Sequence, residues 1–221
     1  MHYQSPQPPP GQLKEQLWQA LRAPLPGWRA HIGMAPPQRF PDKEPRDLPP
    51  PPGARLGAVL LLLYPKQAVW HIPFIVRQKY PGVHSGQIAF PGGKVDDTDA
   101  DYVDTALRET AEEIGVTLSP PQVVGSLSPL YIPPSNFMVY PQVAVIDYAP
   151  VFEPEPTEVA ATLEIPLHEF ERCRDVHVRL WKDQEYHIPC FRVGEHIIWG
   201  ATAMILNEFL QVWRQIVSSG A

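Results

Sequence analysis

Three glutamates, Glu109, Glu112 and Glu113, stand close together near the middle of the chain. Their i, i+3 and i+4 spacing puts the three carboxylates on one side of a helix, where like charges repel by roughly 0.2–0.5 kcal/mol per pair. They also fall in the C-terminal half of that helix, where the macrodipole disfavours anions. A divalent cation removes both conflicts, because Mg²⁺ and Mn²⁺ take oxygen ligands. We therefore predict that all three glutamates bind Mg²⁺ or Mn²⁺.

The residues around the glutamates support a metal site. The paired glycines Gly92 and Gly93 let the backbone approach closely, so the carbonyl of Gly92 is predicted to supply one more oxygen ligand. Arg108, directly before Glu109, can pair with one glutamate and hold it in position. A glycine turn, an arginine and three glutamates in one short stretch together indicate a site for phosphate chemistry.

A helix must carry these glutamates. Asp99 or Asp101 is a suitable N-cap, and Gly115 is a suitable residue to end the helix. Small and apolar residues form a second face that can pack on a sheet. They are Val103, Ala106, Leu107, Thr110, Ala111 and Ile114.

The stretch from Gly93 to Val116 resembles the Nudix box, GX5EX7REUXEEXGU, in which U is an aliphatic residue. The residues on matching positions are Arg108, Glu109, Glu112, Glu113, Gly115 and Val116. The first part of the stretch is a variant: the spacing from Gly93 to Arg108 is one residue longer than the pattern, and Asp99 takes the first acidic place. Thr110 stands where an aliphatic residue is usual.

Upstream residues narrow the resemblance to the coenzyme A diphosphatase branch of the Nudix hydrolases. Arg77, Gly86 and the run FPGG at 90–93 match the signature of that branch. Gly82 stands where the branch carries an arginine. The side chains that can replace this arginine are Lys79, His84 and Lys94.

The resemblance implies an enzyme that hydrolyses the P–O–P bridge of a nucleoside diphosphate-linked substrate. For this branch the substrate is coenzyme A or its derivatives, and the products are 3′,5′-ADP and phosphopantetheine. Such a reaction needs positioning and charge neutralisation more than covalent help. Arg108 is predicted to act in catalysis, with Glu109 or Glu158 as the base that accepts the proton of the attacking water. The residues predicted to bind the substrate are Arg77, His84, Ser85, Lys94 and Phe137.

Three other functions remain open from the sequence. One is a Nudix hydrolase that acts on ADP-ribose or NADH, which the missing arginine at Gly82 keeps possible. The second is a catalytically silent Nudix module that binds a nucleotide, although such modules typically lose glutamates of the box. The third is an interaction protein that works through its proline-rich N-terminal part.

Composition restricts the partners and the compartment. The 221 residues carry a net charge of −6, which argues against nucleic acid as a partner. The longest apolar run, residues 57–64, is far shorter than the roughly 20 residues that span a bilayer. The two cysteines, Cys173 and Cys190, indicate a reducing compartment, so we expect a cytoplasmic protein without a membrane partner. A homodimer is possible, with Trp18 of the N-terminal helix at its seam.

The elements that position the site follow from proline content and periodicity. Residues 1–53 are predicted to form one short helix, with Leu13, Leu17 and Leu21 at helical spacing, and a proline-rich surface extension over 35–53. Residues 54–221 are predicted to form the catalytic domain.

The predicted catalytic domain contains more strands than helices. A hairpin precedes the glutamate helix, further strands follow it, and an amphipathic helix begins near residue 201. The two main helices lie apart in sequence, so we predict an α+β fold: an α/β/α sandwich with a mixed sheet between the glutamate helix and the C-terminal helix.

Overall fold

The computed structural model of the chain describes residues 8–36, 39, 51–79, 86–181 and 184–219. Most of the predicted proline-rich extension, at 37–38 and 40–50, lies outside these residues. In the part of the chain that the structure describes, no helix is long and apolar enough to cross a membrane.

A long hairpin opens the main sheet, as predicted. β1 (Arg55–Lys66) and β2 (Val69–Arg77) run antiparallel. They are joined by Gln67 and Ala68, whose φ angles of 53° and 60° are both left-handed. Two central residues with positive φ match the twist of the flanking strands, which is why this two-residue turn closes the hairpin without glycine.

The main sheet has eight strands and mixed directions, which confirms the predicted fold class. β1 pairs in parallel with the strand Phe137–Val145 and antiparallel with β2, so it lies at the centre of the sheet. The other strands, numbered in chain order, are β3 (Ile88–Ala89), β4 (Gly92–Lys94), β5 (Val123–Ser126), β6 (Leu130–Ile132), β7 (Phe137–Val145) and β8 (Val159–Pro166). The order is β3-β2-β1-β7-β5, with β4 on β1, β6 on β7 and β8 on β2.

Two strands differ from the prediction. The segment 122–132, among the strands expected after the glutamate helix, forms two strands, β5 and β6, with residues 127–129 between them. β8 was not predicted, because prolines and acids precede it and most of its residues are only partly buried. β8 pairs with β2 along its whole length and thereby extends the sheet.

Helices cover both faces of the main sheet. Alternate residues of β1 point to opposite faces: Leu60 and Leu62 belong to the apolar cluster under α3 (Tyr102–Ile114), and Leu61 and Leu63 belong to the cluster on the other face. On that other face, α4 (Gly200–Ser219) packs with α1 (Pro10–Ala20). All four leucines are fully buried.

A second, three-stranded sheet precedes α4. It consists of β9 (Arg174–Trp181), β10 (Gln184–Val193) and β11 (His196–Trp199), in the order β11-β10-β9 with antiparallel pairing. All three are among the strands expected between the glutamate helix and the C-terminal helix. Because β11 leads directly into Gly200, this sheet positions the start of α4 beside the main sheet.

The N-terminal helices are part of the core. Leu13 and Leu17 of α1 are fully buried in the same cluster as α4. A second short helix, α2 (Trp28–Ile32), was not predicted. It is held by the buried Glu208 of α4, whose carboxylate accepts a hydrogen bond from the backbone N–H of Gly27 at 2.9 Å.

Candidate active site

The ends of α3 are set by the residues expected from the sequence. The carboxylate of Asp101 accepts hydrogen bonds from the backbone N–H groups of Val103 and Asp104 at 2.8 and 2.9 Å. Gly115, with a φ of 71°, ends the helix in the left-handed conformation that glycine adopts most easily. Both caps fix the register of the helix, and therefore fix which face the glutamates occupy.

The three glutamates of α3 differ in burial. Ala106, Leu107 and Ile114 anchor the helix on the sheet. Glu113, next to this apolar face, has only 2% of its side chain exposed. Glu109 is 15% exposed and Glu112 is 59% exposed. The carboxylates therefore lie along a gradient from the interior to solvent.

Glu113 lies under the glycine turn that precedes the helix. The backbone N–H of Gly92 donates a hydrogen bond to Glu113 Oε2 at 2.8 Å, and Arg77 Nη1 lies 3.9 Å from Glu113 Oε1. Burial raises the pKa of Glu113 to about 7, against the opposing effects of this N–H group and of Arg77. Burial therefore disfavours the charged form of this carboxylate despite its two neighbours.

Arg108 is the centre of a hydrogen-bonded cluster. Its Nε and Nη2 donate to the two carboxylate oxygens of Asp99, each at 2.9 Å. Its Nη1 donates to Glu109 and to Glu112, each at 3.0 Å, and Nη2 also donates to the carbonyl of Lys94 at 3.1 Å. The bonds with Asp99, and then those with Glu109, raise the pKa of Arg108. Arg108 therefore holds two of the predicted metal ligands in position.

These residues line an acidic cleft of about 640 Å³. The cleft carries both the carboxylates of α3 and basic side chains, and Arg77 Nη1 lies 3.9 Å from Glu113 Oε1. The lining residues are Arg55, Arg77, Gly92, Gly93, Lys94, Glu109, Glu112, Glu113, Pro134, Ser135, Asn136, Phe137 and Glu158. In an acidic protein, such carboxylates suit a cation, and such basic side chains suit phosphate groups.

Glu158 comes to the acidic cleft from a distant part of the chain. It is exposed and lies just before β8, where its backbone carbonyl accepts a hydrogen bond from the N–H of Gln78 at 2.9 Å. Burial is the main cause of the raised pKa of Glu109 and of Glu113, and the charge of Glu158 adds to both shifts. The predicted base thus shares one site with the box glutamates.

The donors are of the chemical type that a divalent cation binds, because Mg²⁺ and Mn²⁺ prefer hard oxygen ligands. The Glu109 carboxylate lies against Gly93, where a Cβ would overlap it. Within the described ranges, no group of three or more His, Cys, Asp or Glu side chains is placed so that it could hold a metal ion. The carboxylates instead bind Arg108 and the N–H of Gly92, and the carbonyl of Gly92 lies 3.4 Å from Arg77 Nη2.

A larger apolar cavity of about 880 Å³ opens from the acidic cleft. The two share Arg77, Gly92, Gly93, Pro134, Ser135 and Phe137. The cavity extends between the main sheet, the three-stranded sheet and the start of α4, and Trp199 lines it with Arg179, whose guanidinium lies 5.0 Å from the indole ring. Its volume is in the range of ordinary small-molecule sites.

Most of the residues predicted for the site come together here. Arg77, Lys94 and Phe137 line the acidic cleft as expected substrate-binding residues would. His84 and Ser85 lie outside the described residues. Arg55 was not expected at this site, Asp99 was expected as a cap and as the first acid of the box, and the sequence favoured a turn over a site for Ser135 and Asn136. A signal for the last two was present, since the motif IPPSN at 132–136 contains polar residues in a tight turn.

An acidic helix and basic side chains in one cleft are chemically suited to a cation and to phosphate groups. Comparison with known families agrees with this chemistry, because the NUDIX domain matches residues 54–185. The chain therefore belongs to the Nudix hydrolase family, whose members hydrolyse diphosphate bonds and generally use divalent metal ions.

Similar proteins support this membership. An uncharacterized Nudix hydrolase NudL of Photorhabdus laumondii is 32% identical over 174 residues, covering 74% of this chain and 90% of that protein. The human mitochondrial coenzyme A diphosphatase NUDT8 is 34% identical over 167 residues, covering 71% of this chain and 68% of that protein. A MutT/nudix family protein from Enterococcus faecalis has the same fold, with a TM-score of 0.54 and 17% identity over 91% of this chain and 74% of that chain.

Proposed function

We propose that this protein hydrolyses the diphosphate bridge of coenzyme A or its derivatives, giving 3′,5′-ADP and phosphopantetheine. The observation that carries the proposal is the continuity between the acidic cleft and the apolar cavity. Coenzyme A has a diphosphate in its middle and a long, weakly polar arm on one side, and these two parts match the two spaces. The similarity to the human coenzyme A diphosphatase supports the same substrate.

Glu109, Glu112, Glu113 and the carbonyl of Gly92 are proposed to hold Mg²⁺ or Mn²⁺. When bound, such an ion neutralises phosphate charge and lowers the pKa of a bound water. Two features of the chain support this assignment: the hard oxygen donors of the three glutamates, and their position together in one cleft. Arg108 is proposed to act by positioning Glu109 and Glu112, to which it donates hydrogen bonds.

The basic side chains of the acidic cleft are proposed to bind the diphosphate. Arg55, Arg77 and Lys94 line the acidic cleft with the glutamates and can donate hydrogen bonds to non-bridging phosphate oxygens. Arg55 is exposed, and its guanidinium lies 4.3 Å from the ring of Phe137, which favours a position beside the cleft. Phosphate charge is thereby spread over groups that are already in position.

Glu109 or Glu158 is proposed to accept the proton of the attacking water. Both line the acidic cleft, and Glu109 is the more buried. Glu158→Gln separates the two, with Glu155→Gln as its matched control, because Glu155 is a nearby exposed acid that does not line the cleft. A fall in kcat of about 10²-fold or more in the Glu158 variant alone identifies it as the base. An unchanged kcat leaves the role to Glu109.

A product assay tests the proposed function. Free coenzyme A, ADP-ribose and NADH are offered separately with Mg²⁺ or Mn²⁺, beside a Glu113→Gln variant. We expect 3′,5′-ADP from coenzyme A with the wild-type protein and none with the variant. Turnover of ADP-ribose or NADH alone would reject the coenzyme A assignment. Nucleotide binding without any turnover would instead identify a silent module.

The remaining expectations about partners and compartment stay proposals. The net charge of −6 supports a small-molecule nucleotide rather than a nucleic acid as partner. Cys173 and Cys190 are free thiols, which supports a reducing compartment such as the cytoplasm. We keep residues 54–221 as the proposed catalytic domain and residues 1–53 as its extension. A homodimer seam at Trp18 is supported only by the exposure of that side chain, at 45%.

A further inference from the structure

Ser135 has a buried hydroxyl without a hydrogen-bond partner among the described atoms. Only 9% of the residue is exposed. Buried hydroxyls are nearly always hydrogen-bonded, and leaving one unsatisfied costs about 1–3 kcal/mol. A group that is absent from the free protein would explain why the chain keeps a hydroxyl at this position.

Three other buried polar side-chain atoms of the described residues also lack a partner. They belong to Gln16, Thr162 and His168. None of these residues lines the acidic cleft or the apolar cavity, whereas Ser135 lines both. Ser135 therefore differs from them by its place at the junction of the two spaces.

The backbone around Ser135 is fixed. The residue ends the 3-10 turn Pro133–Ser135 between β6 and β7, and its carbonyl accepts a hydrogen bond from Arg55 Nη2 at 2.6 Å. The next residue, Asn136, is left-handed with a φ of 52°, and its carbonyl accepts a bond from the N–H of Arg55 at 2.8 Å. The backbone that carries the hydroxyl is consequently fixed where the two spaces meet.

The surroundings of the hydroxyl indicate its ligand. Ser135 lines the acidic cleft together with Arg55 and Arg77, and Arg55 Nη2 donates to its carbonyl at 2.6 Å. An O–H donor beside two guanidinium groups suits an anionic oxygen acceptor. Resting on the proposed function, we propose that Ser135 is a substrate-binding residue that donates a hydrogen bond to a non-bridging phosphate oxygen, where the diphosphate joins the arm in the apolar cavity.

Ser135→Ala tests this assignment by separating stability from activity. Removing a hydroxyl that has no partner in the free protein should leave the melting temperature unchanged or raise it. The lost bond to a charged phosphate should lower kcat/KM for coenzyme A by about 10- to 100-fold. A merely structural role would not combine an unchanged melting temperature with such a loss.

Ser126→Ala is the matched control. The hydroxyl of Ser126 donates to Gln142 Oε1 at 2.8 Å, and neither residue lines the acidic cleft or the apolar cavity. This variant should lower the melting temperature and leave kcat/KM unchanged. The proposal is overturned if Ser135→Ala behaves like this control, or if its kcat/KM equals that of the wild type.

A binding measurement separates this proposal from the proposed function. Calorimetric titration with ADP and Mg²⁺ should give a Kd about tenfold higher for Ser135→Ala than for the wild type. Equal Kd values, together with wild-type turnover of coenzyme A, overturn the role of Ser135 and leave the proposed function intact. Weaker ADP binding in the variant without turnover of any substrate supports Ser135 and rejects the hydrolase. A wild-type protein that neither binds ADP nor hydrolyses coenzyme A overturns both.

Discussion

Gly93 and Glu109 are packed so closely that only a glycine fits beneath the carboxylate. A Cβ built on Gly93 would stand 2.3 Å from Glu109 Oε2, 2.4 Å from its Cδ and 2.5 Å from its Oε1. Real Cβ atoms do not approach other atoms at such distances, so the position is restricted by space. The glycine before the helix therefore determines where the Glu109 carboxylate can lie.

We predict that Gly93→Ala lowers kcat by about 10²-fold with little change in melting temperature. The new methyl group displaces the Glu109 side chain, and a shift of about 1 Å at a reacting group can cost this much. The clash involves the far end of a flexible side chain, so the fold can accommodate it. Steady-state kinetics and thermal unfolding of the same preparation check both parts.

Gly92→Ala is the matched comparison for this prediction. Its Cβ would meet backbone atoms, with the carbonyl oxygen of Ala58 at 2.3 Å and the Cα of Val59 at 2.5 Å, and its φ is +148°. This variant should lose several degrees of melting temperature, because strands β1 and β4 must separate. Full activity of Gly93→Ala would show that the position of Glu109 does not limit the reaction.

The pair Arg108 and Asp99 gives a second prediction. Lysine has a single ammonium group and cannot bridge Asp99, Glu109 and Glu112 as the guanidinium does. Arg108→Lys and Asp99→Asn should each lower kcat/KM by about 10- to 100-fold, which is the usual effect of losing a group that orients ligands.

The double variant Arg108→Lys/Asp99→Asn provides the control, because the two residues act as one unit. Its kcat/KM should lie close to that of the worse single variant rather than at the product of both effects. Multiplicative losses would show that Asp99 and Arg108 act independently. In that case Asp99 would have a role apart from its two bonds of 2.9 Å to the guanidinium.

The parts of this site that the sequence could predict lie in one continuous stretch. Asp101 and Gly115 cap α3 through local hydrogen bonds and local backbone geometry, and the spacing of the glutamates follows from the helix period. Such features depend on neighbours within a few residues. For this reason the start and the end of α3, and the spacing of the three glutamates along it, follow from the sequence.

The parts that could not be predicted depend on pairing between distant segments. Ser135 and Arg55 are 80 residues apart, and only the parallel pairing of β1 with β7 brings them together. β8 was missed for a related reason, since its pairing with β2 rather than its own composition makes it a strand. No local signal indicates which distant strand a segment will meet.

Glu164 should make stability depend on pH. It accepts hydrogen bonds from Tyr64 Oη at 2.7 Å and from Lys66 Nζ at 2.9 Å. Burial raises the pKa of Glu164, but the bonds from Tyr64 and Lys66 outweigh it and leave the pKa below its ordinary value of 4.5. A lowered folded-state pKa means that the stabilisation is fully present above pH 4.5 and is lost as the pH falls through the folded-state value.

The difference in melting temperature between the wild type and Glu164→Gln measures this contribution. It should be constant from about pH 7 to about pH 5 and should shrink toward about pH 3, because other groups titrate equally in both proteins. Lys66→Met removes two of the three bonds to Glu164, so the pH-dependent part should be smaller in that background. A difference that grows as the pH falls would contradict the assignment.

Glu208 should connect the N-terminal extension to the stability of the whole domain. Its fully buried carboxylate accepts bonds from Ser128 Oγ at 2.6 Å, from the N–H groups of Gly27 and Ser128 at 2.9 and 3.1 Å, and lies 3.0 Å from His31 Nε2. Glu208→Gln keeps the size of the side chain but replaces one acceptor oxygen with a donor. Each buried N–H left unpaired costs about 1–3 kcal/mol, so urea unfolding should report a loss of at least about 1 kcal/mol.

Glu15→Gln is the control for this prediction, because Glu15 is an exposed acid of α1 that bonds only to Gln19 among the described residues. It should leave the free energy of unfolding unchanged. Deleting residues 1–53 removes Gly27 and His31 together with the buried leucines of α1, so the truncated chain should fail to fold and should lose turnover. A truncated chain with wild-type melting temperature and kcat would show that the extension acts independently of the catalytic domain, as an interaction segment would.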